Sequence, residues 1–151
     1  MPLALFEFEM VKLIGAHCKN FSELKVFCPF VVGFAKTIAT YIPNLKVLSL
    51  QGSLVEKEAL VYLLNNTKKL EVLNLCHCLI VDEGLPAPGY AYAALALDMS
   101  IMERASEMKN FLVCNADYCH VCQLMFITEG NSGWSDIGIW RRDMVSTLAA
   151  Y

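Results

Sequence analysis

The chain has 151 residues, 56% of them hydrophobic and 18% charged, with a formal net charge of -3. So little positive charge provides no basic stripe for a phosphate backbone, so nucleic acid is not an expected partner. The longest apolar tract, Tyr90 to Leu97, is too short to cross a bilayer, and the opening residues carry Glu7 and Glu9 where a secretion signal has a basic leader, so no membrane partner is expected either.

From the N-terminus, three segments share one pattern: Leu24-Lys25-Val26-Phe27, Leu45-Lys46-Val47-Leu48 and Leu70-Glu71-Val72-Leu73. They begin 21 and 25 residues apart, within the range of leucine-rich repeats. The third extends to Leu70-x-x-Leu73-x-Leu75-x-x-Cys78, and the second to Leu45-x-x-Leu48-x-Leu50-x-x-Ser53. Ten residues before each leading leucine stand Ile14, Ala35 and Leu60, and six before stand Cys18, Ala39 and Leu64. Small or apolar side chains recurring at that spacing predict one face of a helix ahead of each strand, with Cys18 in the core and His17 partly buried.

Each unit therefore reads helix, short turn, strand. The expected fold is α/β: a short solenoid of two to three units over residues 1–83, with parallel strands on an inner arc and helices outside. Because strand side chains alternate, leucines facing the core leave their neighbours facing out. The outward candidates for partner contact are Val26, Cys28 and Phe30 on the first strand, Val47, Ser49 and Gln51 on the second, and Val72, Asn74 and Cys76 on the third. The plainer alternative is that these are strand residues tolerated at a neutral surface.

Residues 84–97, with Pro86, Pro88 and Gly89 ahead of an Ala/Tyr-rich run, read as a linker or divergent insert. Residues 98–151 read as a mostly helical, cysteine-bearing cap, opening with a helix from Met99 to Phe111. Ile101, Ala105, Met108 and Leu112 give that helix one apolar face. Trp134 and Trp140 would add area to the cap or to a partner-binding patch.

The seven cysteines are an odd number without a secretion signal, which favours reduced thiols and a cytoplasmic or nuclear setting. Cys114, Cys119 and Cys122, with His120 or His77, are the one set that could bind zinc, since thiolates are soft tetrahedral ligands. Against this, His120 adjoins Cys119 directly, and no second Cys-x2-Cys pair is present. Packing as small hydrophobes or service as a reducible pair is the favoured account, and no cofactor is expected. No glycine loop for phosphate, nucleophile with a base, or paired acids stands out, so catalysis is not expected.

The run Cys18 to Val26, the segments Pro43 to Leu50 and Leu70 to Cys78, and the tail Phe111-Leu112-x-Cys114-x4-Cys119-x2-Cys122-Gln123 with Trp140 together resemble plant F-box/leucine-rich-repeat proteins. That resemblance implies a substrate-recognition role: the repeats would hold a protein substrate of a Skp-cullin-F-box ubiquitin ligase. An F-box upstream would dock the Skp-type adaptor, and Met1 to Phe21 reads as repeat sequence instead of an F-box. Adaptor binding is expected only if an F-box lies upstream.

Overall fold

The structure, a computed structural model, describes residues 3–82, 91–93 and 99–114. The elements in chain order are α1 (Leu3–His17), β1 (Glu23–Lys25), α2 (Val32–Tyr41), β2 (Val47–Ser49), β3 (Leu54–Glu56), α3 (Lys57–Asn66), β4 (Val72–Asn74), β5 (Leu79–Val81), β6 (Ala91–Ala93), α4 (Met99–Ser106) and β7 (Asn110–Leu112). One sheet has the order β1-β2-β4-β7 with every pairing parallel. A second has the order β3-β5-β6, its first pair parallel and its last antiparallel. Phe30 adds a parallel bridge to Val55 at the open edge of this second sheet.

Helix α1 packs on α2, α2 on α3, and α3 meets α4, so the helices form a layer beside the four-stranded sheet. The apolar stripe of α2 is Phe34, Ala35 and Ile38; that of α3 is Ala59, Leu60, Leu63 and Leu64, all buried. These close on Leu45, Leu48, Leu50, Leu70, Leu73 and Leu75 in a single core. Phe30, fully buried, meets Phe34 edge-on with ring centroids 5.7 Å apart, and Phe8 brings α1 onto the same ring at 5.5 Å. Gly15 lets α1 approach α2 closely, because a side-chain carbon there would collide with the main-chain carbonyl of Tyr41.

The strand register revises the first repeat. Leu24 pairs with Leu48, and Leu48 with Leu73, so the first interval is 24 residues, not 21. The turn that precedes each strand marks the same frame: the N–H groups of Phe21, Leu45, Leu70 and Met108 donate to the carbonyls of Cys18, Ile42, Thr67 and Ala105. Phe21 is thus the counterpart of Leu45, and Val26 the counterpart of Leu50. The similarity of Leu24-Lys25-Val26 to Leu45-Lys46-Val47 suggested a frame three residues late, because an aromatic fills the leading slot. In the corrected frame the core position of α1 is Val11, which is buried, while Cys18 and His17 are exposed.

The C-terminal region also departs from expectation. The helix ends at Ser106, and Asn110–Leu112 continue the parallel sheet as a fourth strand, with Leu73 opposite Phe111. Ile101 and Ala105 are buried as their spacing predicts, but they belong to another helix-turn-strand unit. That unit starts 38 residues after the third, and part of its extra length, Ala91–Ala93, is the antiparallel strand β6 inside the segment expected to be a linker.

Helix ends are tied to neighbouring units. The Glu56 carboxylate accepts the N–H of Val32 at 3.0 Å, satisfying a donor that the first turn of α2 would otherwise leave open. Lys57 reaches Asp82 at 3.0 Å, with both side chains largely covered. Among the described residues, no helix is long and apolar enough to cross a membrane.

Candidate protein-docking face

The outer face of the four-stranded sheet follows from the register. One row holds Glu23, Val47, Val72 and Asn110; the next holds Lys25, Ser49, Asn74 and Leu112. Two residues further on stand Phe27, Gln51, Cys76 and Cys114, joined where Gly52 N–H donates to Cys76 O and Leu75 N–H to Leu112 O.

On the first strand the corrected frame turns the predicted residues away from this face. Val26 packs partly buried against the core, Cys28 is buried, and Phe30 is fully enclosed and bridges to the second sheet. Glu23, Lys25 and Phe27 stand in their place, with a Lys25–Glu23 ion pair at 3.4 Å and Phe27 42% exposed.

On the second and third strands Val47, Ser49, Gln51, Val72, Asn74 and Cys76 do hold the outward positions, but only Val47 is partly exposed. The others are buried, and the polar ones are wired together. Asn74 donates through Nδ2 to Gln51 Oε1 at 3.0 Å and to Ser49 Oγ at 3.3 Å, while its Oδ1 accepts the N–H of Cys76 at 3.0 Å. A buried amide must find partners for both its ends, and this one does so across two strands. Sequence pattern assigns such positions to the outside; it does not show that their side chains will bond one another.

The consensus Ser/Cys slot has an internal job. Cys78 donates from Sγ to Leu50 O at 2.9 Å, and Ser53, one unit earlier, sits with Oγ 3.5 Å from Val26 O and accepts the N–H of Cys28 at 3.3 Å. Burial pushes the thiols of Cys78 and Cys28 up to about 12, with Glu7 adding to the effect at Cys28. Both stay protonated and inert.

At the end of the outer face, the turn residue His77 adopts a left-handed backbone (φ 59°), as Gly52 does one unit earlier (φ 77°). Its main-chain N–H donates to Cys114 Sγ at 3.0 Å, and its Nδ1 lies 3.3 Å from the same sulfur. Of the proposed zinc ligands Cys114 and His77 are among the described residues; Cys119, His120 and Cys122 lie outside them, as do Trp134 and Trp140. No group of three potential ligands converges to hold a metal among the described residues.

Helix-turn-strand units in register, with leucines inward and a ladder of bonds from one unit to the next, define an α/β protein of repeated units compatible with a leucine-rich-repeat fold. Comparison with known proteins agrees. The chain is 39% identical over 138 residues to an F-box/LRR-repeat protein of Arabidopsis thaliana, a match covering 89% of this chain and 45% of that protein. A second protein of the same plant, named for an F-box, is 25% identical over 144 residues, covering 91% of this chain and 39% of its own length. The resemblance to plant F-box/leucine-rich-repeat proteins read from the sequence is thus supported, and the chain spans less than half the length of each relative. No family model and no solved structure matches the chain.

Proposed function

We propose that this chain is a protein-binding leucine-rich-repeat solenoid that serves as the substrate-recognition part of an F-box subunit in a Skp-cullin-F-box ubiquitin ligase, without catalysis of its own. The observation that carries the reading is the 39% identity to an F-box/LRR-repeat protein across nearly the whole chain. The outer face of the four-stranded sheet is the docking surface of this reading, through those of its positions that are exposed or partly exposed. Lys25, Phe27 and Val47 are its accessible contacts on the first two strands; Asn110 and Leu112 extend it on the last. The buried Ser49, Gln51 and Asn74 bond the second strand to the third between those contacts. Assembly in the cytoplasm or nucleus goes with this role.

The test is to join the chain to an F-box, assemble it with a Skp-type adaptor and a cullin, and identify the plant proteins that become ubiquitylated. A Lys25→Glu, Val47→Asp double variant with an unchanged circular dichroism spectrum is expected to lose that set while still binding the adaptor. An unaltered set would overturn the assignment of this face.

A further inference from the structure

The end of the main sheet where each helix hands over to its strand is not used by the docking reading. Just ahead of the strands, Ser22, Lys46, Glu71 and Lys109 form one row, tied by bonds from Lys46 N–H to Ser22 O, Glu71 N–H to Lys46 O and Asn110 N–H to Glu71 O. Lys68 and Lys69, in the turn before β4, line the same hollow. We propose that this end of the sheet binds an acidic segment of a partner protein, taken in extended form with carboxylates at alternate positions.

Three observations support this. First, Lys46, Lys68, Lys69 and Lys109 are all exposed and surround one open hollow of about 640 Å³. The chain has 12 lysines and arginines and a net charge of -3, so four lysines in one hollow reverse its overall sign locally. Second, that charge is not already matched. Among the described residues none of the four ammonium groups has a carboxylate within ion-pair distance, and of the two acids lining the hollow, Glu107 is held by Arg104 at 2.8 Å. Glu71 alone stands against the four lysines, and unbalanced like charge favours a partner of opposite sign. Third, the spacing fits an extended chain. Adjacent strands lie ~4.8 Å apart, which sets Lys46 and Lys109 roughly 10 Å apart at the main chain, and side chains on one side of an extended peptide recur about every 6.8 Å. The flexible lysine stems cover the difference.

The chemistry of lysine and the size of the patch select the occupant. A lysine ammonium is a compact point charge, without the planar fork by which arginine takes one phosphate through two bonds. It suits carboxylates spread along a chain. A nucleic acid duplex would bring roughly six phosphates to the same ~10 Å, more than four lysines beside Glu71 can answer, and no aromatic side chain lines the hollow to stack a base. The row also borders the outward positions Val47, Val72 and Asn110, so a bound segment is continuous with the docking face. The assignment rests on the protein-binding part of the proposed function and on no component of a ligase.

The experiment uses the full chain at low ionic strength and follows the fluorescence anisotropy of a labelled peptide of alternating Glu and Thr, with a Gln-Thr peptide as its neutral control. The acidic peptide is expected to bind about tenfold more tightly than the neutral one and to lose that advantage as salt is raised. Lys68→Glu with Lys109→Glu is expected to weaken the acidic peptide about tenfold. Lys12→Glu with Lys36→Glu makes the same change of net charge on α1 and α2 and is expected to leave binding within about twofold. Equal affinity for the two peptides, or equal loss in the two double variants, would overturn the proposal. So would tighter binding of oligouridylate or of phosphatidylserine vesicles through the same lysines. If a variant fails to fold, the two peptides and their salt dependence in the parent chain decide alone. No adaptor or cullin is present in this measurement, so failure of the ligase reading leaves it intact, and its own failure leaves the ubiquitylated set unaffected.

Discussion

Leu48 and Leu73, on the two inner strands of the main sheet, are fully buried, whereas Leu24 and Phe111, in the same row on the outer strands, are only half-buried. All four belong to the same kind of unit, so the difference comes from neighbours. Among the described residues, an inner strand has a unit on each side and an outer strand has one. The same contrast appears on the outer face, where Asn74 is enclosed in a bonded network and Lys25, in the same row, is exposed. In a stacked protein a residue's environment is set by the number of adjacent units as much as by its own type.

The largest test of that comparison is Leu73→Ala, which removes a side chain from a closed core and is expected to cost about 2–5 kcal/mol in chemical denaturation. Leu24→Ala should cost about half as much, since less of its surface is removed from water. Equal losses would mean that the outer unit is as well closed as the inner one. Next is Gly15→Ala, which places a carbon against the Tyr41 main chain and is expected to cost about 1–3 kcal/mol by overpacking. Hydrogen exchange should show the loss concentrated in α1.

Asn74→Ala is expected to cost about 1–3 kcal/mol, because the Cys76 N–H loses its side-chain acceptor in a buried setting. Lys25→Ala, on the exposed end of the same row, should stay within about 0.5 kcal/mol. A separate effect is on pH dependence. The folded chain keeps the Cys78 and Cys28 thiols protonated up to about 12, whereas the unfolded chain releases those protons above the ordinary thiol value. Their contribution is therefore full below about pH 8.5 and is lost as pH rises toward 12. Cys78→Ser, which puts the Ser53 type of side chain in the slot, should flatten that alkaline decline in denaturation midpoints measured between pH 8 and 11.

Much of the repeat was legible because a leucine's position carries two constraints at once, the strand's alternation and the preceding helix's stripe. Leu45, Leu48 and Leu50 met both, as did Leu70, Leu73 and Leu75, and the structure buries all six. The first unit was misplaced by three residues because Phe21 and Val26 fill slots where leucine is the marker, while Leu24-Lys25-Val26 happens to match Leu45-Lys46-Val47. The fourth unit was hidden for a similar reason: Met108, Phe111 and Val113 replace the leucines, and the longer interval breaks the period. On the candidate face, alternation gave the outward side of the second and third strands. It could not distinguish exposed residues from a buried polar network, because that depends on bonds between units 23 to 25 residues apart. The contact of His77 with Cys114 arises from β4 pairing with β7, so it was visible only once the fourth strand was known.

The longer fourth unit shows where this architecture accommodates change. Its added residues fall between β5 and α4 in the chain, where Ala91–Ala93 pair with β5, and β7 still meets β4 with Leu73 opposite Phe111. Extra length at that point in the chain leaves the register of the four parallel strands intact, while a single residue added within a strand would reverse every side chain beyond it. Tags, cleavage sites or grafted epitopes belong between β5 and α4, where they leave the alignment of the four parallel strands untouched.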